Sequence, residues 1–495
     1  MGRSIALAIC LAIAFALAWV GDRTPPPAPV TAPQASFSAA RAMTDVEVIA
    51  RAPHPIGAPA NAAVRDYLVQ RMTALGLETQ VQRTDAFRQR KTGAEVSIRG
   101  GAVENVIGVL PGRDRTAPAL ALMAHYDSVP GSPGAADDAA GVAAALEIVR
   151  ALKVQGQPAR DVILLMTDGE EAGLLGAYGF FEQHPMAKRI GFLMNMESRG
   201  GGGRAQMFQT GAENGGAIDL FRKTATSPTA SSLTVFMYEK MPNDTDFTVS
   251  KDAGIPGLNY AFIGRQFDYH SPTSTPANLD KGSLQHLGQE TLAAAREAAF
   301  APALPAKSPN QVYANTFAGK MLAYPPAAGW AVLALAGLLT LIGGWQARRA
   351  GLLHWLDLIQ GVGATLYLVA LSATLLRLAR RATGADFGFM EQRYLLAQVT
   401  RWEIALALLG VGALAIAASA AGRGRTRLPT ALIALGSGAA CSAFGGWDPI
   451  GLGVGAAGAV LAVISFGRPT TTSGAWSGVL LTGFLSEAVG KRGII

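Results

Sequence analysis

Leu120-Ala121-Leu122-Met123-Ala124-His125-Tyr126-Asp127-Ser128, a Pro/Gly-rich loop, and then Ala136-Asp137-Asp138-Ala139-Ala140-Gly141 form the stretch from which the fold is read. The apolar run has the length and composition of a buried strand, and it ends in a histidine and a carboxylate. The loop then delivers two more carboxylates to the start of a helix. That is half of a metal site. The other half is expected at later strand ends, because open α/β sheets gather their chemistry at the carboxyl ends of their strands.

Outward from this stretch, strand and helix signals alternate. Strands are expected at Asn105–Leu110, Leu120–Met123, Asp161–Met166, Gly191–Met196 and Leu258–Ile263. Helices are expected at Ser38–Arg51, Ala139–Lys153, Asn214–Ala225 and Lys281–Ala299. Another helix has Val64, Leu68, Met72 and Leu75 on one face and ends at Gly76. The alternation predicts an α/β fold, a mostly parallel mixed sheet with helices on both faces.

Beyond Pro326 the pattern changes. Apolar segments follow near 329–346, 353–376, 403–421, 428–446, 449–467 and 475–490, each close to the roughly 20 residues a spanning helix needs. The expected organisation is a signal peptide or signal anchor over 1–22, a Pro/Ala-rich linker over 23–36, and a catalytic domain over 37–302. A second linker at 303–327 and a multi-helix transmembrane domain over 328–495 complete it. Composition agrees: half of the 495 residues are hydrophobic, only 16% are charged, and all seven Trp lie outside the charged section from Thr44 to Lys307.

The formal charge of +7 does not point to nucleic acid. The arginines cluster in short loops between apolar segments, where membrane orientation accounts for them, and no basic stripe is present. The lipid bilayer is the expected partner. A domain outside the cytoplasm puts Arg348-Arg349 and Arg423–Arg427 inside, while Arg377, Arg380 and Arg381 run against the same rule. Cys10 and Cys441 both fall in apolar segments, so no disulfide framework is expected.

Seven residues carry candidate chemistry: His125, Asp127, Asp137, Glu170, Glu171, Glu197 and His270. Taken singly, each has an ordinary structural explanation. Their joint occurrence at successive strand ends points instead to a dinuclear site. Imidazole with carboxylate and no thiol suits zinc, and less specifically manganese or cobalt. A two-metal hydrolytic site needs terminal ligands on each ion, a bridging carboxylate, and an unligated carboxylate as general base.

The segments His125-x-Asp127, Gly134-Ala-Ala-Asp137-Asp138-Ala-Ala-Gly141, Gly169-Glu170-Glu171-Ala-Gly173, Asn195-Met-Glu197 and Tyr269-His270-Ser-Pro-Thr resemble metallopeptidase family twenty-eight. The likeness covers about residues 38 to 300. Glu197 and the multi-helix tail are similar to its membrane-bound endoplasmic-reticulum branch and bacterial relatives. The resemblance implies a zinc-exopeptidase fold acting on peptides, most simply as an aminopeptidase, with two zinc ions per chain. It implies that Asp137 bridges the ions, that His125 and Glu197 complete one, and that Glu171 and His270 complete the other. Glu170 becomes the general base and Asp127 the partner of the His125 ring, and a cis peptide is implied near Asp137-Asp138.

Two positions depart from the family pattern. Asn243-Asp244-Thr245-Asp246-Phe247 stands where soluble members often carry Ser-Asp-His, and Ser274 stands where an Asp commonly follows. A single-zinc glutaminyl-cyclase-like enzyme and a non-catalytic receptor or scaffold on the same fold are the alternative readings. The complete ligand set argues against both.

Overall fold

The computed structural model describes residues 20–351, apart from 93, 94, 240, 242, 317 and 318, with single positions at 9, 13, 16 and 401. Asp22–Ala323 form one compact unit. Seven strands make its sheet: β1 (Glu78–Thr92), β2 (Glu95–Leu110), β3 (Ala119–His125), β4 (Val162–Thr167), β5 (Ile190–Ser198), β6 (Gly202–Thr210) and β7 (Gly257–Gly264). Their order is β1-β2-β4-β3-β5-β7-β6. The central four are parallel, and β1, β2 and β6 join antiparallel at the edges.

The central strands are continuous apolar runs because both faces of the sheet are covered. Successive side chains point to opposite faces. Leu120, Leu122 and Ala124 therefore join Val162, Leu164, Met166, Phe192 and Met194 in one cluster. Ala121 and Met123 join Ile163, Leu165 and Leu193 in the other. Helices α1 (Ala39–Ile49), α3 (Ala139–Lys153) and α8 (Lys281–Phe300) cover the first face. Phe180 of α4 (Leu175–Gln183) and Phe247 of α7 (Asp246–Asp252) close the second. The remaining helices of the unit are α2 (Pro59–Ala74), α5 (Gly215–Thr224) and α6 (Ser232–Glu239).

Helix α3 is buried along its whole length except at Arg150 and Lys153. An all-round apolar helix needs such a position, and its alanines let it approach neighbours closely. Its one buried charge, Glu147, accepts from Arg41 Nε at 2.8 Å, from Arg150 Nε at 2.6 Å and from the Ser38 backbone N–H at 3.2 Å.

The connections create the crevice. From β3 the chain passes through α3 to β4 on one side, then through α4 to β5 on the other. Loops leaving the strand ends therefore diverge around β3, which is where α/β sheets bind ligands.

Two edge features depart from the sequence expectation. β1 and β2 form a long hairpin, in register from Glu78↔Val109 to Thr92↔Glu95, where only Asn105–Leu110 was expected. Glu78–Thr92 is largely polar, with Phe87 exposed, so pairing with β2 rather than core burial holds it. Likewise β6, which opens on Gly202-Gly203 and pairs with β7, is not among the expected strands. A two-stranded sheet of β8 (Val312–Asn315) and β9 (Met321–Tyr324) follows α8.

Helix α9 (Pro326–Arg349) belongs to the second unit. Its Pro326–Gln346 portion is long and apolar enough to cross a membrane, by length and composition. Trp330 and Trp345 are exposed toward its ends, and Arg349 lies over the Trp345 ring at 3.9 Å, the pattern of an interfacial anchor. Nearly all of the N-terminal apolar segment and the five apolar segments from 353 onward lie outside the described residues.

Leu122 is fully buried between β4 and β5, whereas Val154 after α3 is 53% exposed. Leu122→Ala is expected to cost about 2–5 kcal/mol, while Val154→Ala stays within about 0.5 kcal/mol. Thermal melts of the full chain read the difference.

Candidate metal centre

All seven candidate residues meet at this crevice. His125 is the last residue of β3, Glu197 stands near the end of β5, and Glu170-Glu171 follow β4. Asp137 lies just before α3, and His270 follows β7. Asp137 Oδ1 is 3.1 Å from His125 Nε2, and its Oδ2 is 3.2 Å from His270 Nε2. His125 Nε2 is also 3.7 Å from Glu197 Oε2, and His270 Nε2 is 2.8 Å from Glu171 Oε1. Donor atoms of His125, Asp137 and Glu197 thus lie within 4.8 Å of one another, as do those of Asp137, Glu171 and His270. A third group, His125 with Glu170 and Glu171, has the same spacing.

Local structure aims each side chain. The Asp137–Asp138 peptide is cis, as the family resemblance implies. Asp138 caps α3 by accepting from the Gly141 N–H at 3.1 Å, and its other oxygen accepts from the His125 N–H at 3.3 Å. A Cβ on Gly141 would stand 2.5 Å from both Asp138 carboxylate oxygens, so any larger residue there must displace that carboxylate. His270 has φ +51°, a left-handed conformation uncommon outside glycine, and its ring stacks on Tyr269 at 3.7 Å.

Asp127 does more than the sequence suggested. His125 Nδ1 lies 3.0 Å from the Asp127 carbonyl oxygen and 3.4 Å from its carboxylate. That carboxylate accepts from the Glu170 N–H at 3.0 Å and the Glu171 N–H at 3.2 Å. One buried aspartate therefore ties the end of β3 to the loop carrying two other site carboxylates.

Several contributors had no role assigned from the sequence. Asn195 donates to Glu197 Oε1 at 3.3 Å and to Asn259 at 3.0 Å. It stands two residues before Glu197 on β5, so the period of two was an available signal. Asp168 accepts from the Glu104 N–H and from Asn61, bracing the loop after β4. Asp246, within the segment that departs from the family pattern, is buried and accepts from Thr167 Oγ1. Only the three-dimensional arrangement shows the last two. Ser274, the other departure, accepts from the Ala135 N–H through its carbonyl and so links the His270 and Asp137 loops.

Burial and crowding govern the electrostatics. Burial and the neighbouring Asp137 push Glu171 up to about 7, and burial with Asp137 pushes Glu197 up to about 8 against the pull of His125. Glu170 is raised well above the ordinary carboxylate range by burial and by Glu197 and Glu171. Burial works against the His270 cation, but its bonds to Asp137 and Glu171 outweigh that and raise it to about 9. Asp137 is pulled down by His125 and His270 despite its burial. No Lys or Arg pairs with Asp137, Glu170, Glu171 or Glu197 among the described residues. Carboxylates packed together with imidazoles and without thiols or basic partners fit a hard or borderline divalent cation such as zinc.

Beside this cluster opens a cleft lined by Asp137, Glu170 and Glu197 and by the rings and side chains of Phe208, Tyr238 and Ile263.

Residues 105–295 match the model described as Peptidase family M28. The chain carries an M28 peptidase domain. It is 31% identical over 294 residues to "Endoplasmic reticulum metallopeptidase 1" of Homo sapiens, covering 56% of this chain and 32% of that protein. It is 35% identical over 247 residues to a "Vacuolar membrane protease" of Candida dubliniensis, covering 49% of this chain and 26% of that one. The chain thus spans about a third or less of these relatives' length. Among solved structures, an aminopeptidase from Aneurinibacillus sp. strain AM-1 matches with 14% identity and a TM-score of 0.45, over 56% of this chain and 97% of that one. Glutaminyl cyclases also match, including that of Porphyromonas gingivalis at 21% identity and a TM-score of 0.41, over 53% of this chain and 98% of that one. The M28 domain accounts for the motif order read from the sequence.

Gly141→Ala in this domain is expected to displace the Asp138 carboxylate from both the α3 terminus and the His125 N–H. Loss of the cap alone costs about 1 kcal/mol. A lowered melting temperature together with reduced bound metal, measured by elemental analysis, is the expected result.

Proposed function

We propose that the chain is a membrane-tethered dizinc peptidase that removes N-terminal residues from peptides, with its catalytic domain on the extracytoplasmic side. The observation that carries the reading is Asp137, whose two carboxylate oxygens face different imidazoles. Asp137 would bridge two zinc ions, His125 and Glu197 would hold one, and Glu171 and His270 the other. Bound zinc would supply Lewis-acid polarisation of the scissile carbonyl and acidify the attacking water.

The remaining chemistry belongs to the chain. Glu170 lines the cleft beside the proposed ligands and already has a raised proton affinity, as a general base near neutral pH needs. It would take a proton from the attacking water and pass it to the leaving nitrogen. Asp127 would hold Glu170 in place through the backbone and orient the His125 ring. The carboxylates lining the cleft suit a free α-ammonium group, and its apolar residues suit the adjoining side chain.

The apolar helix α9, the further apolar segments of the sequence and the membrane protease among the relatives support tethering to a bilayer. Arg348 and Arg349 at the end of α9 favour placing that end in the cytoplasm and the peptidase outside it.

Glu170→Gln is expected to keep zinc near two equivalents per chain while turnover falls by about 10²–10⁴-fold. Wild-type turnover in that variant would remove Glu170 as the base. One equivalent of zinc would favour the single-zinc cyclase reading, and cleavage of N-blocked peptides as readily as free ones would remove the aminopeptidase assignment.

Metal uptake should also depend on pH. Glu171 and Glu197 are protonated below about 7 and 8, and His270 below about 9, and these protons must leave before the groups ligate. Zinc affinity of the stripped protein is therefore expected to fall as pH drops from 9 toward 6, read by competition with a zinc-binding dye.

A further inference from the structure

Arg199 lies two residues beyond Glu197, and its backbone N–H donates to Phe262 O at 2.9 Å, continuing the pairing of β5 with β7. Its half-buried side chain lines the cleft that holds Asp137, Glu170 and Glu197. The guanidinium Cζ is 5.6 Å from the centroid of the Tyr269 ring, which in turn stacks on His270 at 3.7 Å. Two ring contacts therefore separate this cation from a proposed zinc ligand. Arg265 has an ion pair with Asp268 at 2.8 Å, and Arg88 has one with Asp244 on the cleft wall. Arg199 differs: among the described residues no carboxylate lies within 4.0 Å of its guanidinium.

A partly desolvated guanidinium without an anionic partner is costly, and its planar fork of N–H donors matches a carboxylate. A ring contact of this length leaves the N–H donors of the guanidinium available. We propose that Arg199 binds a carboxylate of the substrate, supplied by the C-terminus of a short peptide, which makes this a site selective for di- and tripeptides. Arg199 lines the same cleft as the proposed ligands, and each extended residue spans about 3.3–3.6 Å, so a terminal carboxylate one or two residues beyond the scissile bond is the candidate anion. An acidic side chain beyond the scissile bond offers the same chemistry. The inference rests on the peptidase reading above.

The test uses the full chain in detergent with zinc restored, and three substrates: Leu-Leu, Leu-Leu amide and Leu-Asp amide. Leu-Leu is expected to exceed its amide in kcat/KM by about 10–100-fold, mainly through KM. Arg199→Met is expected to bring that ratio close to one, and Arg199→Lys to restore part of it. Leu-Asp amide cleaved as poorly as Leu-Leu amide assigns the anion to the C-terminus. If it is cleaved as well as Leu-Leu, a side-chain carboxylate serves and the selectivity for short peptides is overturned. Equal rates on all three substrates in the wild type would overturn the site. So would an equal fall on all three in Arg199→Met, which would make Arg199 a prop for Tyr269. If no peptide is hydrolysed, the peptidase reading fails by itself. Calorimetric titration with Leu-Leu and its amide then decides the site: acid-selective binding lost in Arg199→Met supports it, and its absence overturns it.

Discussion

The structure turns on one carboxylate placed between two imidazoles. Asp137 reaches His125 with one oxygen and His270 with the other, although these histidines come from strand ends separated by β5. The loop before α3 must cross those strand ends to place it there. Gly134 permits the crossing through φ +69°, at a point where a Cβ would stand 2.6 Å from the Asp137 carbonyl oxygen. Asp138 then fixes the loop by capping α3 and holding the His125 backbone.

A second carboxylate coordinates the approach of the others. Asp127 accepts from two backbone N–H groups of the β4 loop, so Glu170 and Glu171 are presented by a tethered segment rather than a loose one. Such tethering opposes a real cost, because carboxylates gathered in a buried place raise one another's proton affinity and work against compact folding. The rigid covered sheet and the densely buried α3 hold together an arrangement that its own charges resist. Sites of this kind sacrifice stability for chemistry, and divalent cations would relieve the repulsion.

Much of this was legible in the chain. The central strands were visible because burial on both faces makes them continuous apolar runs, and Ala139–Lys153 was visible because Asp138 and the alanines mark its start and interior. The hairpin arm of β1 and β2 was not, since a polar ribbon held by cross-strand pairing carries no burial pattern. Strand β6 was hidden for another reason: it opens on glycines and mixes buried polar with apolar residues, so no alternation marks it although most of it is buried. At the site, the residues with strong chemical identity stood out, while Asn195, Asp168 and Asp246 did not, because their part depends on what lies across from them.

The sequence by itself determined the alternation of strand and helix, the residue types at each strand end and the family motifs. These are local properties, set by periodicity, capping and chemical type. Only the tertiary structure decided that Asp137 faces two histidines, that the Asp127 carboxylate serves the Glu170 loop more directly than the His125 ring, and that Arg199 opens into the cleft on the face of Tyr269. Those facts follow from the order β4-β3-β5-β7, which brings residues more than a hundred positions apart within hydrogen-bond reach. No local pattern encodes that order; it is set by where each crossover helix packs against the sheet.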